Sequence, residues 1–312
     1  MTNITAMSEF TLRQLRTLAT VHRTGRIISA SKELGLTQPA VSLQIKEAEG
    51  IAGTTLFDRT AEGMRPTAAG RAVIEAALAI EERLRALADE VRAIAGGKKG
   101  QLRLGVVSTA KYFAPSIMAA FKREQPDIEM TLLVGNRAEM VASLRDHMVD
   151  VALMGRPPRE VAVRAVMFGP HPFVLIASPD HPLAGLANIG KERLAQENFL
   201  VREAGSGTRM ALDMYLSELP GRPEAPGVEM GSNETIKQAV MAGLGIALIS
   251  AHTIALEVEQ KRLVVLDVEG MPIRRQWFSV SRAERSLTPV MKAFEAFLQE
   301  RGADFLPQVA GA

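Results

Sequence analysis

The chain has 312 residues, 47% of them hydrophobic, enough for two or three domains with cores of their own. It has no cysteine, which excludes a disulfide framework and a thiolate metal site. A formal charge of +2 at pH 7 argues neither for nor against nucleic acid, while an aromatic content of 4% speaks against base-stacking platforms for single strands. No basic segment followed by an apolar one opens the chain, and no run approaches the ~20 apolar residues of a membrane span. A soluble, cytoplasmic protein with no membrane partner is expected.

Residues 10–66 read as a small helical unit. The first helix is expected from about Thr11 to His22, with Leu12, Leu15, Leu18, Ala19 and His22 at helical spacing, and Gly25 breaks it. A second covers about Ile27–Leu34, and Gly35 ends it where a left-handed cap is needed. Thr37 is a good N-cap for a third helix, and Pro39 sits in its first turn, where a missing N–H does no harm. The short connection through Gly35 has helix-turn-helix spacing. After Gly53, "TTLFDRTAEGMRPT" reads as two short extended pieces around Glu62-Gly63, a hairpin-like wing.

The third helix has two dissimilar sides. Val41, Ile45 and Ala48 are apolar, whereas Gln38, Ser42 and Lys46, spaced four apart, present small hydrogen-bonding groups and one cation. Gln can bond an adenine edge bidentately, Ser a base or a phosphate, and Lys46 can reach phosphate. Acidic side chains are absent until Glu47 and Glu49. Arg26, Lys32, Arg59 and Arg65 are candidate backbone contacts. Taken alone, this row does not outweigh a solvated helix in a three-helix bundle.

Residues 67–96 read as one long helix. Apolar residues fall at 73, 77, 80, 84, 87, 91 and 94, alternating steps of four and three, with Glu81, Arg83 and Glu90 beside them. So narrow a stripe favours a dimer helix over one packed only on its own domain. "GGKKG" (96–100) is expected to act as a hinge.

Residues 101–312 alternate strands and helices. Strands are expected at 101–107, 128–134, 149–155, 173–178, 198–203, 227–232, 245–250, 263–268 and 276–281, in mainly parallel sheets, two rather than one. "FGPHP" (168–172) and "EGMPI" (269–273) are the expected crossovers between two lobes. In open α/β sheets ligands bind beyond the carboxyl ends of strands, near helix N-termini. The residues placed there are Ser108, Thr109 and Lys111; Asn136 and Arg137; Gly155, Arg156 and Pro157; Arg202, Ser206, Thr208 and Arg209; and Asn233. For any single cation a surface charge or an inter-lobe salt bridge is an equal reading. Together they favour an effector with more than one negative charge, such as a phosphorylated metabolite.

Enzyme and metal readings are poor. "GSGTR" lacks the spacing of a phosphate-binding P-loop, no base is placed beside Ser108 or Ser206, and the five histidines at 22, 147, 171, 181 and 252 show no ligand spacing. No cofactor or metal is expected. A solute-binding protein would be permitted by residues 101–312 alone, but the N-terminal helix-turn-helix argues against it.

The stretch from Phe10 to Gly70 resembles the winged helix-turn-helix of LysR-type transcriptional regulators. Phe10, Leu15, Ser29, Ala30, Ala40, Val41, Ser42, Ile45, Leu56, Phe57, Arg59, Thr67 and Gly70 carry the resemblance. The chain departs from the family pattern at Ala48 and Ala52, at Ala61-Glu62 in the wing, and at Pro66. The resemblance implies an α-helical winged helix-turn-helix domain (1–66) whose recognition helix starts at Gln38. It implies a linker helix (67–97) that pairs two subunits. Last comes an α/β effector domain (98–312) resembling periplasmic-binding proteins of type 2. Its lobe I would be about 100–169 and 274–312, and its lobe II about 170–273. Implied partners are double-stranded promoter DNA, a second copy in a dimer and commonly a tetramer that bends DNA, and RNA polymerase. "VSTAKYFAP", "VGNRAEM", "ALMGRPP", "FLVREAGSGTR" and "SNETIKQAVMAGLGIALIS" look like the branch controlling Calvin-cycle carbon-fixation operons, the CbbR group. That branch implies an effector such as ribulose 1,5-bisphosphate, phosphoenolpyruvate, NADPH or ATP.

Overall fold

A computed structural model describes residues 9–94, 100–217, 227–309 and 311. It comprises two compact units, Met1–Gly97 and Lys98–Ala312. The hinge expected at 96–100 lies, except for Gly100, outside the described residues.

The first unit runs α1 (Leu12–Thr24), α2 (Ile27–Leu34), α3 (Gln38–Ala52), β1 (Phe57–Thr60), β2 (Gly63–Pro66) and α4 (Ala68–Ile94). Thr11 and Gln14 form a reciprocal capping box at the start of α1, and Thr37 caps α3 by accepting from the Ala40 N–H. Gly25, Gly35 and Gly53 end the three helices in the left-handed conformation. Leu18, Val21, Val41, Ile45, Leu56 and Ile74 form the core. β1 and β2 make an antiparallel hairpin closed by Ala61-Glu62, and the Met64 N–H donates to the Gly25 carbonyl at 2.8 Å, tying the wing to the α1–α2 turn. The Glu49 carboxylate accepts from the Leu56 N–H at 2.9 Å, so this acid braces the wing instead of facing outward.

The stripe on α4 divides in two. Ile74 and Ala77 are buried, Ala77 against Leu15 and Ala19 of α1, while Ile80, Leu84, Leu87 and Val91 are 39–55% exposed. Its first turns are core, and its later turns leave an apolar ridge uncovered.

The second unit runs β3 (Gln101–Val107), α5 (Ala114–Glu124), β4 (Glu129–Gly135), α6 (Arg137–Arg145), β5 (Val151–Met154) and β6 (Val163–Ala177). It continues through α7 (Lys191–Leu194), β7 (Val201–Arg202), α8 (Gly207–Leu216), β8 (Glu229–Met230), α9 (Asn233–Met241), β9 (Ala247–Ser250) and α10 (Ala255–Glu259). It ends with β10 (Val264–Val265), β11 (Ile273–Arg282) and α11 (Pro289–Arg301). Seven strands share one sheet in the order β10-β6-β11-β5-β3-β4, with β9 also on β6, and β7 pairs with β8.

Two expectations are corrected here. The large sheet is mixed: β3 is parallel to β4 and β5, but β11 is antiparallel to β5 and β6, and β6 to β9 and β10. Residues 168–172 are not a break but the middle of β6, and the strand also extends back over 163–167. Over 163–172 β6 pairs with β11 alone, an edge position that tolerates Pro170 and Pro172. A bulge at Phe168 lets Gly169 face Trp277 while Met167 faces Phe278. The lobes are therefore joined by a two-stranded ribbon rather than by loops. One core lies on the lobe I side, with Leu104, Ile117, Phe121 and Phe294. On the lobe II side Phe173 and Leu175 face one core and Val174 and Ile176 another, the period-two alternation of a strand covered on both faces.

One glycine explains itself sterically. Thr67 accepts from the Gly70 N–H at 3.0 Å and donates to the Thr55 carbonyl at 2.8 Å, drawing α4 so close to the wing that a Cβ on Gly70 would sit 1.9 Å from the Leu56 carbonyl oxygen. Gly70→Ala is expected to destabilise the first unit by about 1–3 kcal/mol, read as a lower urea midpoint with unchanged slope. A variant as stable as the parent would contradict this packing.

Candidate functional site

The first unit offers α3 and the wing. Gln38, Pro39 and Lys46 are exposed and Ser42 is half-buried, while Val41, Ile45 and Ala48 point inward. Thr37 is exposed, but its hydroxyl is engaged in the helix cap. Arg26, Lys32 and Arg59 are exposed; Arg65 is exposed too, but pairs with Glu62 across the wing turn. Glu47, the acid nearest the presented face, accepts from the Gln14 amide at 3.2 Å. A shallow groove between α3 and the wing is lined by Ser42, Lys46, Arg59 and also Leu43, which is 56% exposed. Sequence reasoning missed Leu43, although its place on the polar side of the helix was the available signal.

The second unit holds a cavity of about 40 Å³ where strands from both lobes meet. Its floor is the ribbon: His171 and Phe173 of β6, and Arg275 of β11, which stands opposite His171. Ser108 and Thr109 follow β3 on one wall, and Gly155 and Arg156 follow β5. Ser206 and Thr208 open α8 on the facing wall, and Arg137 opens α6. The Ser206 hydroxyl accepts from the Thr208 and Arg209 N–H groups, so this helix start is already capped.

Three guanidinium groups line this space. Arg137 pairs with Glu160 at 3.3 Å, yet its Nε is buried without a partner. Arg156 touches the Met210 sulfur at 3.9 Å, and Arg275 the Met214 sulfur at 3.7 Å while lying 5.7 Å over the Phe173 ring. Among the described residues no carboxylate pairs with Arg156 or Arg275. Burial, and then repulsion from Arg156, lower the pKa of Arg275. Two of the three guanidinium groups thus have no carboxylate to offset their charge, and the cavity wall is net positive.

His171 adds shape without charge. It is buried, stacks on Trp277 at 3.7 Å and lies 3.0 Å from the Ser250 hydroxyl through Nε2. Burial, then His252 and Arg275, hold its pKa well below the usual histidine value. Its Nδ1 has no partner, and a Cβ on Gly155 would meet it at 2.4 Å, so only glycine fits there. His252 accepts from the Trp277 indole N–H at 3.0 Å, and burial lowers its pKa to about 4.

The remaining expected residues stand elsewhere. Arg202 is 2% exposed and spends its fork on Glu203, with further bonds to Ser108 at 3.3 Å and to Asn233. Lys111 pairs with Glu234 at 2.7 Å, joined by the Tyr112 hydroxyl. Arg209 pairs with Asp213 at 3.0 Å and Glu229 at 3.3 Å. Asn136 caps α6 through the Glu139 N–H, and Pro157 does not line the cavity. Arg202 and Lys111 thus tie one lobe to the other. Arg275, His171 and Phe173 were missed because they lie mid-strand, where a rule about strand ends does not look. The Arg-Arg pair interrupting an apolar strand was the signal.

A family defined as "Bacterial regulatory helix-turn-helix protein, lysR family" matches residues 12–71, and the LysR substrate binding domain matches residues 95–303. The chain belongs to the LysR family of transcriptional regulators. It is 58% identical over 304 residues to the HTH-type transcriptional regulator CbbR of Sinorhizobium medicae, covering 97% of each. The regulatory domain of CcmR from Synechocystis PCC6803, solved in complex with 2-PG, is 36% identical with a TM-score of 0.61, covering 64% of this chain and 96% of that one. Full-length CbnR complexed with its target DNA shares the fold, at 20% identity and a TM-score of 0.62, over 93% of this chain and 99% of that one. The family's members are DNA-binding regulators, not enzymes. Among the described residues no helix is long and apolar enough to cross a membrane.

His171 and His252 are neutral in the fold but take up a proton once unfolded, so each makes stability fall as pH drops below about 6.5. For His252 the fall from 6.5 to about 4 amounts to roughly 3 kcal/mol, lost progressively between those pH values. Thermal melts of the full chain should show a midpoint that declines steadily through this window. A flat profile would mean that His171 and His252 are solvated.

Proposed function

We propose that this protein regulates a carbon-fixation operon by sensing a small phosphorylated metabolite in the cavity between its lobes. The observation that carries the reading is the group Arg137, Arg156 and Arg275 around one small cavity, two of them without a carboxylate partner. The similarity to CbbR, and to a CcmR domain solved with 2-PG, supports the carbon-fixation role and the anionic effector. A cavity of about 40 Å³ holds a few waters, so the lobes must part to admit a metabolite, and a small phosphorylated acid suits it better than a dinucleotide.

The DNA contacts follow from α3. Gln38 and Ser42 read base edges, Leu43 meets a thymine methyl, and Lys46, Arg26, Lys32 and Arg59 hold phosphates. Arg65 must first leave Glu62, an exposed pair of small worth. The ridge Ile80–Leu84–Leu87–Val91 seats on the same ridge of a second copy, which sets two reading heads on a roughly palindromic site. Effector in the cavity loosens or remakes the ties Lys111–Glu234 and Arg202–Ser108, and so shifts the population of lobe arrangements.

Calorimetric titration of the full chain with 2-PG, phosphoenolpyruvate and ribulose 1,5-bisphosphate tests the sensor. Arg156→Ala should weaken the effector that binds by about 10- to 100-fold and leave effector-free DNA binding intact. Unchanged affinity would remove the cavity from the mechanism. On promoter DNA, Lys46→Ala should lower affinity and flatten the salt slope by about one unit. Leu84→Asp should yield monomers by sedimentation and cost most of the DNA affinity; a stable dimer would sink the seam.

A further inference from the structure

The ribbon of β6 and β11 has a second face. His171, Phe173 and Arg275 turn toward the cavity already described. One step along each strand, Arg274 stands opposite Pro172 and Gln276 opposite Pro170, and alternation sends these four to the other side. A separate cavity of about 250 Å³ lies there. Pro170, Pro172, Arg274 and Gln276 bound it on the ribbon side, with His252 and Gln308 at its margins. The C-terminal tail closes it over. Leu306 packs into the lobe I core and Val309 against a lobe II core, so Pro307 and Gln308 cross the hinge as a strap.

The chemistry of this space is one-sided. Arg274 lines it and, among the described residues, has no carboxylate partner; Arg275 borders it too, but its guanidinium lies over the Phe173 ring of the front cavity. Gln276 adds an amide donor, Gln308 another whose nitrogen already donates one hydrogen to the Leu306 carbonyl at 3.4 Å, and four prolines supply rigid walls without N–H groups of their own. A planar guanidinium facing an oxyanion makes a bidentate pair, and a phosphoryl group presents the matching oxygens.

We propose that this back cavity is a second anion site, taking a phosphate-bearing metabolite on Arg274, with Gln276 and Gln308 as auxiliary donors. It is distinct from the front cavity, but the two share Arg275 and the ribbon. A ligand on one face therefore biases the same hinge as a ligand on the other, and the two affinities are coupled reciprocally. The regulator integrates two metabolite signals instead of one.

The test is calorimetry on the full chain with inorganic pyrophosphate, comparing wild type, Arg274→Gln and Arg156→Gln. Arg274 is exposed and unpaired, so its variant should melt at the parental temperature. The wild-type isotherm should hold two components. Arg274→Gln should weaken one by about tenfold or more and leave the other, and Arg156→Gln should do the reverse. A wild-type isotherm with no Arg274-dependent component, including no heat at all, overturns the proposal. If Arg156→Gln spares both components while Arg274→Gln removes one, the front-cavity reading fails and the back site stands.

Discussion

Everything in the effector unit hangs on the antiparallel pairing of β6 with β11. Ten register pairs run from Ile273–Phe173 to Arg282–Val163, and the two lobes meet along them. A loop hinge would bend anywhere. A ribbon bends where its ladder is weakest, at the bulge around Phe168 and the edge prolines, and resists shear elsewhere. The His171–Trp277–His252 stack is packed on this ribbon, where burial favours the neutral imidazoles. The positive charge of the cavity is therefore carried by the arginines.

A division of labour among cations follows. Arg202, Lys111 and Arg209 are saturated by carboxylates, and the first two hold the lobes together. Arg156, Arg275 and Arg274 are left with sulfur, ring faces or solvent. Saturated cations fix a geometry, while unsaturated ones keep donors free. Arg156 and Arg275 repel one another across the cavity, and no carboxylate among the described residues offsets them.

Much of this was legible in the sequence. The reading head was legible almost to the residue, because glycine caps, a threonine N-cap and Pro39 leave few ways to draw three helices. β3 matched its expected span because an apolar run ends at a hydroxyl pair. The ribbon was not legible. Gly169, Pro170 and Pro172 are breakers in any local reading, and only the long-range pairing with β11 makes them a tolerated edge. The cavity was half legible for the same reason. Residues after strand ends, such as Ser108, Gly155 and Arg156, could be listed from local pattern. Whether a cation is free or paired depends on partners far along the chain, as Lys111 with Glu234 shows.

The divided stripe of α4 makes that helix a rigid extension of the reading head. Its first turns are locked into the reading head through Ile74 and Ala77, so head and helix turn as one rigid piece. Its 27 residues give an arm about 40 Å long. A pivot of about 5° therefore carries one end some 3.5 Å relative to the other, about the rise of a single base pair. Angular changes too small to disturb any core could shift a reading head by one step along the double helix.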